Sequence, residues 1–288
     1  MAARRASTAR KGRLLRHPRT DLVALDKNAA HGFAATHALV CYPTDTVYSF
    51  IPKNGCSTLR LSLAIANGCA AGPEDWPWIH PNNGTFRASL RDLVTAQFTF
   101  VVLRCPFRRL ASVFLDKILS HTPEFWQLFR MERDALDHDA LSFRGFVELL
   151  DQPDRLSANI HWRPQSDFLI YDTYDAYLTL ENFAEGIARI ERDGFAVHDA
   201  RALTRHGTDQ YSAEAEGPFA DTPIITLRAM QREGRLPGYA TLYDADLIAA
   251  VRSLYADDIR LYADHADPAG LLFPDQYQDL KGTFNDQT

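Results

Sequence analysis

Thr46-Val-Tyr-Ser-Phe-Ile-Pro-Lys-Asn-Gly-Cys-Ser-Thr-Leu-Arg60 is the stretch whose reading decides the fold. It opens with a β-favouring run, Val47 to Ile51, which Pro52 stops because proline has no N–H to offer a central ladder. A four-residue turn follows, in which Gly55 is free to take backbone angles closed to other residues. From Ser57 on, Leu59, Leu63 and Ala66 recur at helical spacing. A strand, a tight turn and a helix start, in that order, make an anion site. Turn amides and the first helical N–H groups point outward, and the macrodipole adds partial positive charge. Lys53 contributes a full charge beside them, and Ser57 and Thr58 contribute hydroxyl donors. The corner suits a phosphate-like group. It is not a nucleoside-triphosphate P-loop, because Gly-x4-Gly-Lys-Ser/Thr is absent and the lysine precedes the glycine. An ordinary strand-to-helix corner with Lys53 in solvent is the competing reading.

A second stretch shifts the balance: Phe98-Thr-Phe-Val-Val-Leu-Arg-Cys-Pro-Phe-Arg-Arg-Leu-Ala-Ser-Val-Phe114. Phe98 to Leu103 is a continuous apolar run, as expected of a strand buried on both faces. Pro106 stands where a helix begins, and Phe107, Leu110, Ala111, Phe114 and Ile118 share one helical face. Arg104 ends the strand and Ser112 follows eight residues on, inside the helix. Two strand-to-helix corners therefore each carry a cation and a hydroxyl, at the end of the sheet where open α/β folds bind ligands.

These residues resemble a known family. Pro52-Lys-Asn-Gly-Cys-Ser-Thr58 is similar to the 5′-phosphosulfate loop of sulfotransferases, and Arg104-Cys-Pro-Phe-Arg-Arg-Leu-Ala-Ser112 to their 3′-phosphate motif. The second motif resembles most the carbohydrate sulfotransferases of the chondroitin, dermatan and heparan 2-O type. His161-Trp162, Tyr171-Asp172, Leu180-Glu181 and the closing Leu254-Tyr-Ala-Asp-Asp258 agree in order and spacing, so the resemblance covers residues 45–262. It implies an α/β, P-loop-like three-layer fold with a central parallel sheet flanked by helices. It also implies 3′-phosphoadenosine-5′-phosphosulfate (PAPS) as donor, no metal, and a hydroxyl acceptor, most readily a carbohydrate.

Composition bounds the reading. The 288 residues are 46% hydrophobic, enough for a sizeable core, and no apolar run approaches a membrane span. The four cysteines (Cys41, Cys56, Cys69, Cys105) form neither a Cys-x-x-Cys pair nor a disulfide-dense pattern. Cys56 and Cys105 sit inside the two anion loops, so a reducing, cytoplasmic setting is expected. Residues 1–20 carry Arg4, Arg5, Arg10, Lys11, Arg13, Arg16 and Arg19 and no acid. Taking these seven from 31 cations leaves 24 against 37 acids, a net −13 for the rest. The segment is read as a disordered basic tail or a start site placed too early, with a nucleic-acid or membrane-surface arm as the alternative, and residues 21–288 as one sulfotransferase-like domain. It lacks the apolar core of a signal peptide. The Golgi relatives are membrane-anchored, so a chain with no anchor is expected to be a soluble, bacterial-type member. The acidic body argues against nucleic acid as a partner.

Along the chain, Ala35 to Tyr42 reads as a lead-in strand, residues 86–96 as a helix, Glu124 to Leu136 and Ser142 to Leu150 as helices. Tyr177 to Leu180 reads as a strand, and Asn182 to Arg192 as a helix ended by Gly194. Residues 199–222 read as irregular, and Asp246 to Tyr262 as one amphipathic helix.

Sulfuryl transfer resembles phosphoryl transfer, an in-line displacement in which the protein positions groups and neutralises charge. Lys53 suits the leaving oxygen, since a lysine point charge follows an anion without fixed geometry. By the resemblance, Arg104 and Ser112 hold the 3′-phosphate, while Asn54, Gly55, Cys56, Ser57 and Thr58 cradle the 5′ end. Structural roles compete: a strand-end ion pair for Arg104, back-bonding within the helix for Ser112. Of Arg108 and Arg109, one or both are expected to face solvent. The acceptor base is sought among histidines, which titrate nearest working pH. His80 lies between the two phosphate motifs and His161 in His-Trp-Arg-Pro-Gln165; each has a family counterpart. Glu181 is a further candidate, with a helix-start cap as its structural role, and Arg205-His-Gly207 a possible late phosphate contact. Trp76, Trp78 and Trp162 are candidates for stacking on a sugar ring, against a core role. Ten histidines without a His-x3-His pair give no metal signature. Two rivals remain: a kinase-like phosphotransferase, and a catalytically degenerate nucleotide-binding scaffold of the same fold.

Overall fold

A computed structural model describes residues 12–20, 22–132, 137–199, 213–266 and 270–280. Four strands, β1 (Ala38–Cys41), β2 (Thr46–Ser49), β3 (Phe98–Leu103) and β4 (Ala176–Thr179), form one sheet in the order β1-β2-β3-β4. β2, β3 and β4 run parallel, and β1 is an antiparallel edge strand hairpinned to β2. Parallel neighbours require crossovers. The β2–β3 crossover carries the helix Cys56–Ala66 and the β3–β4 crossover the helices Pro106–Val113, Pro123–Met131 and Phe143–Leu150.

Alternation along β3 builds the three layers. Phe100 and Val102 join Leu59, Leu63, Phe183 and Ile190 on one face, under the helices Cys56–Ala66 and Phe183–Arg192. Val101 and Leu103 join Phe107, Leu110, Phe146, Leu247 and Ile259 on the other. Successive side chains of a strand point to opposite faces, so one unbroken apolar run feeds two cores. The fold class is therefore as expected, an α/β sheet flanked by helices, and mostly parallel because β1 reverses. Among the described residues no helix is long and apolar enough to cross a membrane.

Local details differ from the sequence reading. Only Leu90–Thr95 of 86–96 is helical, started by a Ser89/Asp92 capping box. The terminal amphipathic run is two helices, Ala245–Leu254 and Ala256–His265, broken at Tyr255 (φ −115°, ψ 31°). The buried Tyr255 hydroxyl donates to Trp162 O at 2.6 Å, which holds the bend. Ala213–Ala215, within the stretch read as irregular, pairs in parallel with Arg235–Pro237. Of the basic segment, residues 1–11 lie outside the described residues. From Arg13 it is docked: Arg13 donates to Ala96 O and Gln97 O and pairs with Asp175, and Leu15 bridges Tyr171. Arg205-His-Gly207 also lies outside the described residues.

Candidate functional site

The first corner is a left-handed turn. Lys53 (φ 70°) and Gly55 (φ 73°) both adopt the region that side chains avoid. At Gly55 a Cβ would also meet Phe183 and Leu180 at 3.1–3.3 Å, so only glycine fits. Lys53 tolerates its strained backbone because neighbours on other elements hold the turn. Arg109 Nε donates to Pro52 O at 3.1 Å and Arg104 Nη1 to Lys53 O at 3.0 Å. The Asn54 side chain is fully buried and donates to Val102 O (2.8 Å) and Gln165 Oε1 (2.6 Å). Cys56 opens the following helix, with Ser57 half-buried and Thr58 buried in its first turn.

The Lys53 ammonium reaches Asp116 Oδ2 at 2.7 Å, and Lys117 Nζ stands 3.4 Å from the same oxygen. Asp116 lies on a π-helical turn, Phe114–Ile118, that widens the end of the Pro106–Val113 helix; such turns favour functional positions. Burial lowers the Lys53 pKa below the ordinary lysine value, with Asp116 opposing. Burial works against ionised Asp116, but Lys53 and Lys117 outweigh it and hold its carboxyl below the usual range.

The second corner is built on Arg104. Its amide donates to Gln165 Oε1 at 3.0 Å, and its guanidinium lies against Lys53 O and the Tyr239 ring, 5.6 Å from the centroid. Cys105 N donates to Glu181 Oε1 and the Tyr262 hydroxyl to Glu181 Oε2, so both oxygens of Glu181 are engaged in holding this corner. Ser112 is buried within the Pro106–Val113 helix. Of the arginine pair with one or both expected to face solvent, Arg108 is half-buried and Arg109 is 2% exposed; the Arg109 guanidinium caps the carbonyls of Pro52, Arg163 and Ile160. A buried guanidinium survives because three carbonyls and the nearby Asp258 charge replace water.

The two histidines are placed differently. His161 is mostly buried, with Nδ1 2.9 Å from Asn159 Oδ1 and 3.4 Å from Glu124 Oε1. Asn159 Nδ2 donates to Gln127 Oε1, which fixes its Oδ1 as the acceptor toward His161. Nδ1 therefore carries the proton and Nε2 keeps its lone pair. Burial pushes the His161 pKa down to about 4; Lys117, Lys53 and Arg109 add to this against the pull of Glu124. Arg109, which bonds Pro52 O on one side and Ile160 O and Arg163 O on the other, joins the segment around His161 to the turn that carries Lys53. His80 is exposed, at the end of the 3-10 helix Pro73–Ile79, its ring edge-on to Trp76. Trp162 is fully buried with Nε1 on Arg155 O, which removes it from the sugar-stacking candidates.

Sequence reasoning missed Asp116, Glu124 and Gln165. Asp116 had a weak signal, standing four residues after Ser112 on the same helix. Nothing in the local pattern marks Glu124 as the neighbour of His161, or Gln165 as that of Asn54 and Arg104, since these partners are remote in the chain.

Comparison with known proteins follows the same residues. A sequence model of the sulfotransferase family matches residues 36–263. Carbohydrate sulfotransferase 10 of Gallus gallus is 28% identical over 154 residues, 46% of this chain and 43% of that protein. The Homo sapiens protein of that name is 25% identical over 199 residues, 57% of this chain and 56% of its own. The chain thus spans about half the length of the relatives it matches. No solved structure matches it. Because the family match takes in both corners and the strands that carry them, the chain belongs to the sulfotransferase family.

Proposed function

We propose that the protein transfers a sulfonate group from 3′-phosphoadenosine-5′-phosphosulfate to a hydroxyl group of a carbohydrate. The observation that carries this reading is the 3.0 Å bond from Arg104 to the Lys53 carbonyl. It ties the Arg104 side chain to the Lys53 backbone just past the ends of β2 and β3, which supports a reading in which one doubly phosphorylated nucleotide spans both corners. The backbone of Asn54 to Thr58 would receive the 5′ end, Arg104 and Ser112 the 3′-phosphate. The carbohydrate acceptor comes from the names of the relatives, both carbohydrate sulfotransferases.

In the transfer, the acceptor oxygen forms a bond to sulfur as the bond from sulfur to the phosphate oxygen breaks. Lys53 stabilises the charge that develops on that leaving oxygen. The acceptor proton passes to Nε2 of His161, and Glu124 stabilises the imidazolium that results. Of the two candidate histidines, His161 is favoured because Arg109 ties its segment to the Lys53 turn, and because Asn159 fixes its tautomer.

Calorimetry with adenosine 3′,5′-bisphosphate and with ATP tests the donor. Preference for the bisphosphate supports the reading, and preference for ATP would favour the kinase-like alternative. Transfer of labelled sulfonate to a panel of sugar hydroxyls tests the acceptor; nucleotide binding without transfer to any would favour the degenerate scaffold.

A further inference from the structure

The sheet by itself does not set the distance between the two corners. The β2–β3 ladder ends at the pair Ser49–Val101, while Lys53 and Asn54 lie beyond it on one chain and Arg104 on the other. Past the ladder, backbone bonds no longer fix one chain against its neighbour. Side chains take over: Asn54 Nδ2 reaches Val102 O (2.8 Å), Arg104 Nη1 reaches Lys53 O (3.0 Å), and one buried amide bonds to both corners at once. Gln165, 0% exposed, accepts from Asn54 Nδ2 (2.6 Å) and Arg104 N (3.0 Å) through Oε1, and donates from Nε2 to Arg104 O (2.9 Å). Its own backbone is anchored from a third direction. Asp258, 1% exposed on the helix Ala256–His265, accepts from Gln165 N (2.6 Å) and Ser166 N (2.9 Å).

We propose that Gln165 is a positioning residue for the donor nucleotide, setting the spacing between the 5′-phosphate corner and the 3′-phosphate corner. The proposal rests on the donor reading above. Two anionic groups carried on one nucleotide reinforce each other only when their sites are held at matching separation. The second contact then forms at high effective concentration, without paying again for ordering. A primary amide suits this task. It accepts twice and donates in one plane, as a ladder segment would, and adds no charge beside Lys53 and Arg104. Asp258 locks the residue from the C-terminal helix pair, so the spacing also depends on the bend at Tyr255 that turns that helix inward.

The test compares two ligands on the full chain by calorimetry: adenosine 5′-monophosphate and adenosine 3′,5′-bisphosphate. In the native protein the second phosphate is expected to tighten binding about 100-fold, the scale of charge-assisted hydrogen bonds. In Gln165→Met, similar in length but without polar atoms, that gap is expected to shrink below about tenfold, while the monophosphate binds nearly as before. A residue that only satisfies the core would lower the melting temperature and leave the gap intact; an intact gap overturns the proposal. If Gln165→Met does not fold, Asp258→Asn, which loosens the anchor on the Gln165 backbone, is judged by the same narrowing. Should the native protein bind neither nucleotide, the donor reading itself fails, an outcome distinct from a gap that survives the substitution.

Discussion

Lys53 Nζ lies 2.7 Å from Asp116 Oδ2, with only 12% and 18% of the two side chains exposed. The cation to which the proposed function assigns the anionic donor is thus already held by a carboxylate. Neutralising that carboxylate, in Asp116→Asn, removes a repulsion on the incoming phosphosulfate. Several-fold tighter binding of adenosine 3′,5′-bisphosphate is expected, with a lower melting temperature because Lys53 and Lys117 lose their counter-charge. Weaker nucleotide binding in this variant would mean that Asp116 orients Lys53 toward the donor. Lys53→Ala is expected to lower kcat about 100-fold or more, the effect of losing one preorganised group at a developing charge.

His161→Ala should lower kcat strongly with little change in nucleotide affinity, the signature of a group acting in the chemical step. The pH profile gives a second readout. In the free protein the His161 pKa lies at about 4, lowered by burial and by Lys117, Lys53 and Arg109. A bound dianionic donor cancels part of that positive field, so the pKa rises. The acid limb of kcat, which reports the loaded enzyme, should therefore sit about one unit above that of kcat/KM for the donor. Glu124→Gln should move both limbs down. A larger loss in His80→Ala than in His161→Ala would reverse the assignment.

Arg109 donates to three carbonyls from a site 2% exposed. Lysine offers a point charge in place of the planar fork, so Arg109→Lys leaves carbonyls of Pro52, Ile160 or Arg163 unpaired. A loss of about 2 kcal/mol is expected, read as a lower urea midpoint at constant slope. An unchanged midpoint would show that water replaces the guanidinium freely.

His37 packs among Phe33, Phe50 and Phe168. Burial pushes its pKa from 6.5 to about 4, with Arg87, Arg163 and Arg60 adding to this and the Phe33 carbonyl bond opposing. Between those values the unfolded chain binds a proton that the folded one refuses. Its contribution is thus complete above pH 6.5 and lost as pH falls to about 4, a difference of roughly 3 kcal/mol. His37→Phe should remove most of that share from the stability difference between pH 7 and pH 4.5, measured by urea unfolding. Identical pH slopes in the two proteins would contradict it.

Both corners were legible because their signals are local. A β-favouring run ending at Pro52, a glycine forced to positive φ, and Pro106 at a helix start each act on their own backbone. The same locality explains the failures. Nothing in Ala245 to His265 announces a break at Tyr255, which no proline or glycine marks; the bend depends on the distant Trp162 carbonyl. Arg109 and Arg108 are neighbours of equal charge, and only packing against Pro52 and Ile160 buries one of them.

The sequence by itself determined the strands, the turns and the helix starts that make two strand-to-helix corners, since those follow from nearest-neighbour sterics and hydrophobic period. Tertiary structure alone decided which groups those corners meet: Asp116 on Lys53, Gln165 across Asn54 and Arg104, Glu124 beside His161. Each of these pairs joins residues far apart in the chain. Their energies depend on separation and burial in space, and neither quantity exists until the layers have packed.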